Sequence, residues 1–169
     1  MTTPSNLVLI GMPSCGKSTL GVLLAKHLTM SFMDTDLVIQ AEVDMRLQEY
    51  QQSQGMAGFR ALEERVLCSV ECERTVIATG GSAVYYPAAM AHLKALGRVV
   101  FLDVSFEVVR ARIGDLAERG VVFEPGMTFE ELLSTRQSLY HQYADCVVDC
   151  GCKPLHELVH EVAGLMTSF

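Results

Sequence analysis

The stretch LVLIGMPSCGKSTL, residues 7–20, decides the reading of this chain. Its four leading apolar residues, Leu7 to Ile10, predict a strand buried on both faces, as in a parallel sheet. Gly11 to Ser18 follows with the spacing G-x-x-x-x-G-K-S. Glycines there let the backbone wrap an anion with its N–H groups turned inward. From Lys17 to Leu28 the residues Leu20, Leu23, Leu24 and Leu28 recur at helical spacing, so a helix begins where the loop ends. The positive end of that helix would face the same anion. Lys17 is expected at the β- and γ-phosphates of ATP, Ser18 at Mg²⁺ and Thr19 at the α-phosphate. Gly11, Ser14, Cys15 and Gly16 complete the expected phosphate-binding set, with Cys15 as a small filler in the loop.

Outward from this stretch the chain alternates. Further strands are predicted at Ser31–Asp34, Thr75–Thr79, Arg98–Val104 and Cys146–Asp149. Between them Leu37 to Cys72 reads as largely helical, punctuated by Gly55 and Gly58, with Phe59, Leu62, Val66 and Val70 as its apolar stripe. Helices are also predicted at Pro87–Leu96, Phe106–Ile113, Phe129–Tyr143 and Leu155–Met166. The implied fold is α/β in three layers: a five-stranded parallel sheet with helices on both faces. Gly114 to Gly126 holds three glycines and Pro125, which predicts a mobile lid over about residues 112–127. A length of 169 residues suits one domain over 1–169. Three chemically loaded segments follow strands: the glycine loop, D-T-D at 34–36 and G-G-S at 80–82. Ligands in such sheets sit beyond the carboxyl ends of the strands, so the three predict one shared site.

Taken together, G-M-P-S-C-G-K-S-T at 11–19, D-T-D at 34–36, F-R-x-x-E at 59–63, Gly80-Gly81 and R-x-x-L-Y at 136–140 resemble the shikimate kinase family, along nearly the whole chain. The resemblance implies a P-loop kinase of the nucleoside-monophosphate-kinase-like group that phosphorylates a hydroxyl of shikimate, with ATP and Mg²⁺. It implies that Asp36 binds substrate hydroxyls and helps deprotonate the attacking one, and that Asp34 lies near the metal with Ser18. Arg60 and Arg136 would clamp a carboxylate, for which a planar fork is suited. Glu63, one turn after Arg60, would orient it. Gly80 and Gly81 would let the backbone approach the substrate. Arg119 in the lid would stabilise the transferring phosphoryl group, and Arg112 would stack on the adenine. The substrate-binding region would span about 34–62. The chain departs from the family pattern at Ser82, where a third glycine is usual, at Met56, at Gln51 in place of a wall aromatic, and at Gly120 in the lid. These departures bear on the acceptor, and another hydroxy-acid such as gluconate is the alternative. A nucleotide-binding module without catalysis is the alternative from another class, and a nucleoside-monophosphate kinase suits the D-T-D and F-R-x-x-E pattern less well.

Charge narrows the partners. Lys plus Arg is 13 and Asp plus Glu is 20, a net charge of −7, which argues against a nucleic-acid surface. No apolar run reaches the ~18 residues that a membrane helix needs. MTTPSN has neither the basic flank nor the apolar run of a signal peptide, and the six cysteines contain no C-x-x-C pair, so a reduced, cytoplasmic, monomeric protein is expected. His156-Glu157-Leu-Val-His160 matches the zinc-protease pattern H-E-x-x-H. Catalytic zinc needs a third protein ligand, and the usual downstream positions are missing. Leu155, Leu158, Val159, Val162 and Met166 instead predict an amphipathic surface helix.

Overall fold

The computed structural model describes residues 5–113 and 126–166. β1 (Asn6–Ile10) is buried at every position, as its unbroken apolar run requires. It pairs in parallel with β3 (Thr75–Ala78), Leu7 opposite Val76, and with β4 (Gly97–Asp103), Leu7 opposite Arg98. β2 (Ser31–Asp34) and β5 (Cys146–Asp149) form the edges, giving the order β2-β3-β1-β4-β5. α1 (Lys17–Leu28) packs on α7 (Leu155–Met166), while α3 (Leu47–Cys68) packs on α4 (Pro87–Leu96), so the buried central strands lie between helical layers. α2 (Thr35–Val43), α5 (Phe106–Ile113) and α6 (Phe129–Tyr143) complete the described helices.

The parallel α/β reading holds, with local corrections. The predicted helical stretch Leu37–Cys72 is two helices. Asp44, in the left-handed region at φ 51°, ends α2, and α3 begins three residues later. Gly55 interrupts α3 at φ 73° and ψ 174°, which only glycine adopts without strain. Gly58 needs no break, and Val70 lies beyond the helix. β3 stops at Ala78 and β4 starts at Gly97, one residue earlier than expected in each case. On α7 the expected apolar face is buried at Leu158, Val159 and Val162, whereas Leu155 is exposed.

One side chain ties the amino end of the sheet together. Asn6 is buried, donates to the carbonyls of Cys72 and Leu96, and accepts from the Thr75 amide, all at 2.8–3.0 Å. Gly97 sits so close that a Cβ there would stand 2.4 Å from the Asn6 carbonyl oxygen. At the carboxyl end of the strands, Phe101 of β4 stacks on Tyr140 of α6 with ring centroids 5.0 Å apart. That contact seats α6 and the residues one turn before Tyr140 over the loops that follow β1 and β3.

Candidate active site

Beyond the carboxyl ends of the strands lies a cavity of about 730 Å³. The phosphate loop forms one side of it. Gly16, at φ 102°, precedes α1 without any side-chain cap, so the first-turn amides of the helix remain available to a ligand. Ser14, Gly16, Lys17, Ser18 and Thr19 line the cavity, whereas Gly11 and Cys15 are buried behind it. Lys17 is itself buried, and its ammonium donates to the carbonyls of Gly11 and Met12, both at 2.8 Å. The loop is therefore closed on its own lysine, with the charge held at the cavity floor.

Asp34 and Asp36 enter from the β2–α2 junction. Asp34 caps α2, its Oδ1 accepting from the Asp36 amide at 3.0 Å, while its Oδ2 accepts from the Ser18 hydroxyl at 2.6 Å. Asp34 does not itself line the cavity; Asp36 does. Burial pushes the Asp36 carboxyl up to about 7, with the charges of Glu63 and Asp34 adding to the rise and Lys17 opposing it. A hydroxyl and a carboxylate joined at the loop rim are hard oxygen donors, a set that fits Mg²⁺.

The opposite side belongs to α3, α6 and the loop after β3. The loop residues Gly80, Gly81 and Ser82 line the cavity with Glu63 and Arg136. A Cβ on Gly80 would stand 2.8 Å from Glu63 Oε1 and 2.9 Å from Asp36 Oδ1, and one on Gly81 would stand 3.0 Å from Arg136 Nη1. The paired glycines are what let three charged head groups converge. Arg136 is buried on the face of α6 that also carries Leu132 and Tyr140, at helical spacing. Its Nε donates to the Tyr85 hydroxyl at 3.2 Å, and its guanidinium lies 5.2 Å from the centre of that ring. Tyr140 donates to the Gly81 carbonyl at 2.7 Å and fixes the loop against the helix.

Glu63 has partners beyond the expected Arg60. Its carboxylate accepts from the Ser82 and Tyr86 hydroxyls, at 2.7 and 2.8 Å. Burial raises its pKa, and these two donors, then Arg136 and then Arg60, oppose the rise. Arg60 is near enough to act on that charge but is not among the residues lining the described cavity. On the outer wall Leu47, Gln48 and Phe59 line the cavity, and Gln51 does not. Arg112 lines it from the end of α5. Arg119, Gly120 and most of the expected lid lie outside the described residues. Sequence reading missed the hydroxyls of Ser82, Tyr85 and Tyr86, whose partners lie 19 to 51 residues away in the chain. The H-E-x-x-H histidines are exposed on α7, and His160 meets His27 of α1 edge to face, centroids 5.0 Å apart. Among the described residues no group of three or more metal-ligating side chains occurs.

Comparison with known proteins gives this geometry relatives. A family model described as shikimate kinase matches residues 13–167. A shikimate kinase of Pseudomonas paraeruginosa is 36% identical, the match covering 93% of each chain. The structure of Acinetobacter baumannii shikimate kinase in complex with shikimate is similar with a TM-score of 0.87 and 29% identity, covering 98% of this chain and 94% of that one. The structure of shikimate kinase from Aquifex aeolicus is similar with a TM-score of 0.84 and 34% identity, over 95% of each chain.

Proposed function

The chain belongs to the shikimate kinase family, and from that premise we propose how its own residues carry out the reaction. The protein is an ATP-dependent kinase that transfers the γ-phosphoryl group to a hydroxyl of shikimate. The observation that carries the residue assignment is that one cavity joins Lys17, Ser18 and Thr19 of the phosphate loop to Asp36 and Arg136.

In this proposal the amides of Gly16 to Thr19 and the Lys17 ammonium hold the phosphates, with Gly11, Ser14 and Cys15 shaping the loop behind them. Lys17 leaves the carbonyls of Gly11 and Met12 as phosphate oxygens replace them. Ser18 and Asp34 would hold Mg²⁺, which when bound neutralises phosphate charge. Asp36, with a carboxyl near neutrality, accepts the proton of the attacking hydroxyl. Arg136, with Arg60, binds the acceptor's carboxylate, and Gly80 and Gly81 bring the backbone against its ring. Arg112 faces the nucleotide, and Arg119 approaches the transferring group from the lid region of about 112–127. Catalysis is then mainly positioning and charge neutralisation.

We further propose one domain over 1–169, a substrate-binding region of about 34–62, and a monomer acting in the cytoplasm without nucleic-acid or membrane partners. The six cysteines carry free thiols, the form that a reducing compartment maintains. Among the described residues no helix is long and apolar enough to cross a membrane. A coupled ADP-release assay with Mg-ATP tests the reaction, comparing shikimate, gluconate and no acceptor. Shikimate-dependent release is expected. ATP binding with release only on gluconate, or on neither acid, would refute the assignment.

A further inference from the structure

Glu63 is the most fully buried carboxylate among the described residues, and the route by which its charge is satisfied is particular to the sequence between β3 and α4. Ser82 Oγ lies 2.7 Å from both carboxylate oxygens, and Tyr86 Oη lies 2.8 Å from Oε2. Between them Tyr85 receives the hydrogen bond from Arg136 Nε. Three hydroxyls within five residues therefore point back at one acid and one arginine. A buried carboxylate without such donors either takes up a proton or draws an arginine onto itself. Either change would disturb Arg136, whose Nη1 packs against Gly81 beside Glu63.

We propose that Ser82 and Tyr86 are positioning residues for acceptor binding: by occupying the oxygens of Glu63 they hold it in place and keep the arginines aimed at the substrate's carboxylate. The inference rests on the acceptor reading above. Neither residue belongs to the phosphate loop and both hydroxyls are spent on Glu63, so the effect should fall on the acid-binding side. The groups that face Glu63 are Asp36 from α2, Arg60 from its own helix, Tyr86 from the loop before α4 and Arg136 from α6. Both hydroxyls hydrogen-bond the charged form, so removing them favours the protonated form of Glu63.

The test uses the full chain with Ser82→Ala, Tyr86→Phe and the double substitution, each checked for an unchanged thermal transition. KM for shikimate should rise about tenfold in each single variant, the scale of one hydrogen bond to a charged group. KM for Mg-ATP should stay constant and kcat should change less than KM. The methyl ester of shikimate, which lacks the carboxylate charge, should be affected little. ¹³C NMR of the glutamate carboxyls supplies a readout without turnover: the Glu63 midpoint should move up in Ser82→Ala and further in the double variant. Folded variants with wild-type KM and an unmoved Glu63 midpoint would overturn the inference, as would equal losses on acid and ester. A wild type that turns over no shikimate refutes the acceptor reading instead, and the NMR titration then decides this one alone.

Discussion

Asp36→Asn removes a charge that the fold tolerates at the expense of its stability. In the folded protein burial, Glu63 and Asp34 raise this carboxyl from 3.8 to about 7. That is about 3 units, or at most about 4 kcal/mol at 1.36 kcal/mol per unit. The sign follows from proton binding. A raised folded-state pKa means that the native protein binds the proton more tightly, so the stabilisation is complete below pH 3.8 and is lost as pH climbs through about 7. Asparagine carries no such dependence. The gain of the variant over wild type should therefore be about 3 kcal/mol larger at about pH 8 than at about pH 5, 2 units below the folded value. Urea unfolding at the two pH values, without nucleotide or Mg²⁺, measures it. At the higher pH the thermal midpoint should rise by roughly 2–4 °C per kcal/mol for a chain of this size. The same variant should release almost no ADP with shikimate, because Asn cannot take the proton. A gain no larger at the higher pH would refute the assignment of a strained carboxylate, and retained turnover would refute its role as base.

Lys17→Ala should lower kcat/KM by at least about 10³-fold while leaving the far-UV spectrum unchanged, since among the described residues its ammonium bonds within its own loop. Retention of most activity would overturn the phosphate-loop assignment. Arg136→Met should raise KM for shikimate by roughly 10²-fold with KM for Mg-ATP nearly constant, the cost of a charged hydrogen-bonded contact; equal losses on both substrates would mean the residue is structural. Asn6→Ala should destabilise the fold by about 3 kcal/mol without changing KM, because it strips three backbone groups, one buried and two partly buried, of their partner. Denaturant titration beside steady-state kinetics separates those outcomes.

Residues 7–20 carried most of the fold by themselves. A run of apolar residues, a glycine turn and a helix start are each specified within a few positions, so strand, loop and helix were legible without the rest of the molecule. The expected ends of β2, α4, α6 and β5 also matched, with Asp34 closing β2 and Pro87 opening α4. The split between α2 and α3 was not. It depends on Asp44 adopting a left-handed conformation, which nothing in the local apolar pattern announces. In the site, the three loaded segments after strands predicted one cavity for Lys17, Asp36 and Gly80, and the family resemblance added Arg136 to it. The sequence reading did not give Glu63 its hydroxyl partners, and it placed Ser82 in the G-G-S loop without naming what the hydroxyl meets. Tertiary packing decided both matters. β3 runs parallel beside β1, its following loop lies across α3, and Tyr140 on Phe101 seats α6 over that loop. Helical and strand periods report which face of an element is buried, and not which distant side chain meets it there. The hydroxyls that satisfy Glu63, and the burial of Arg136 beside them, exist only once those three elements have docked.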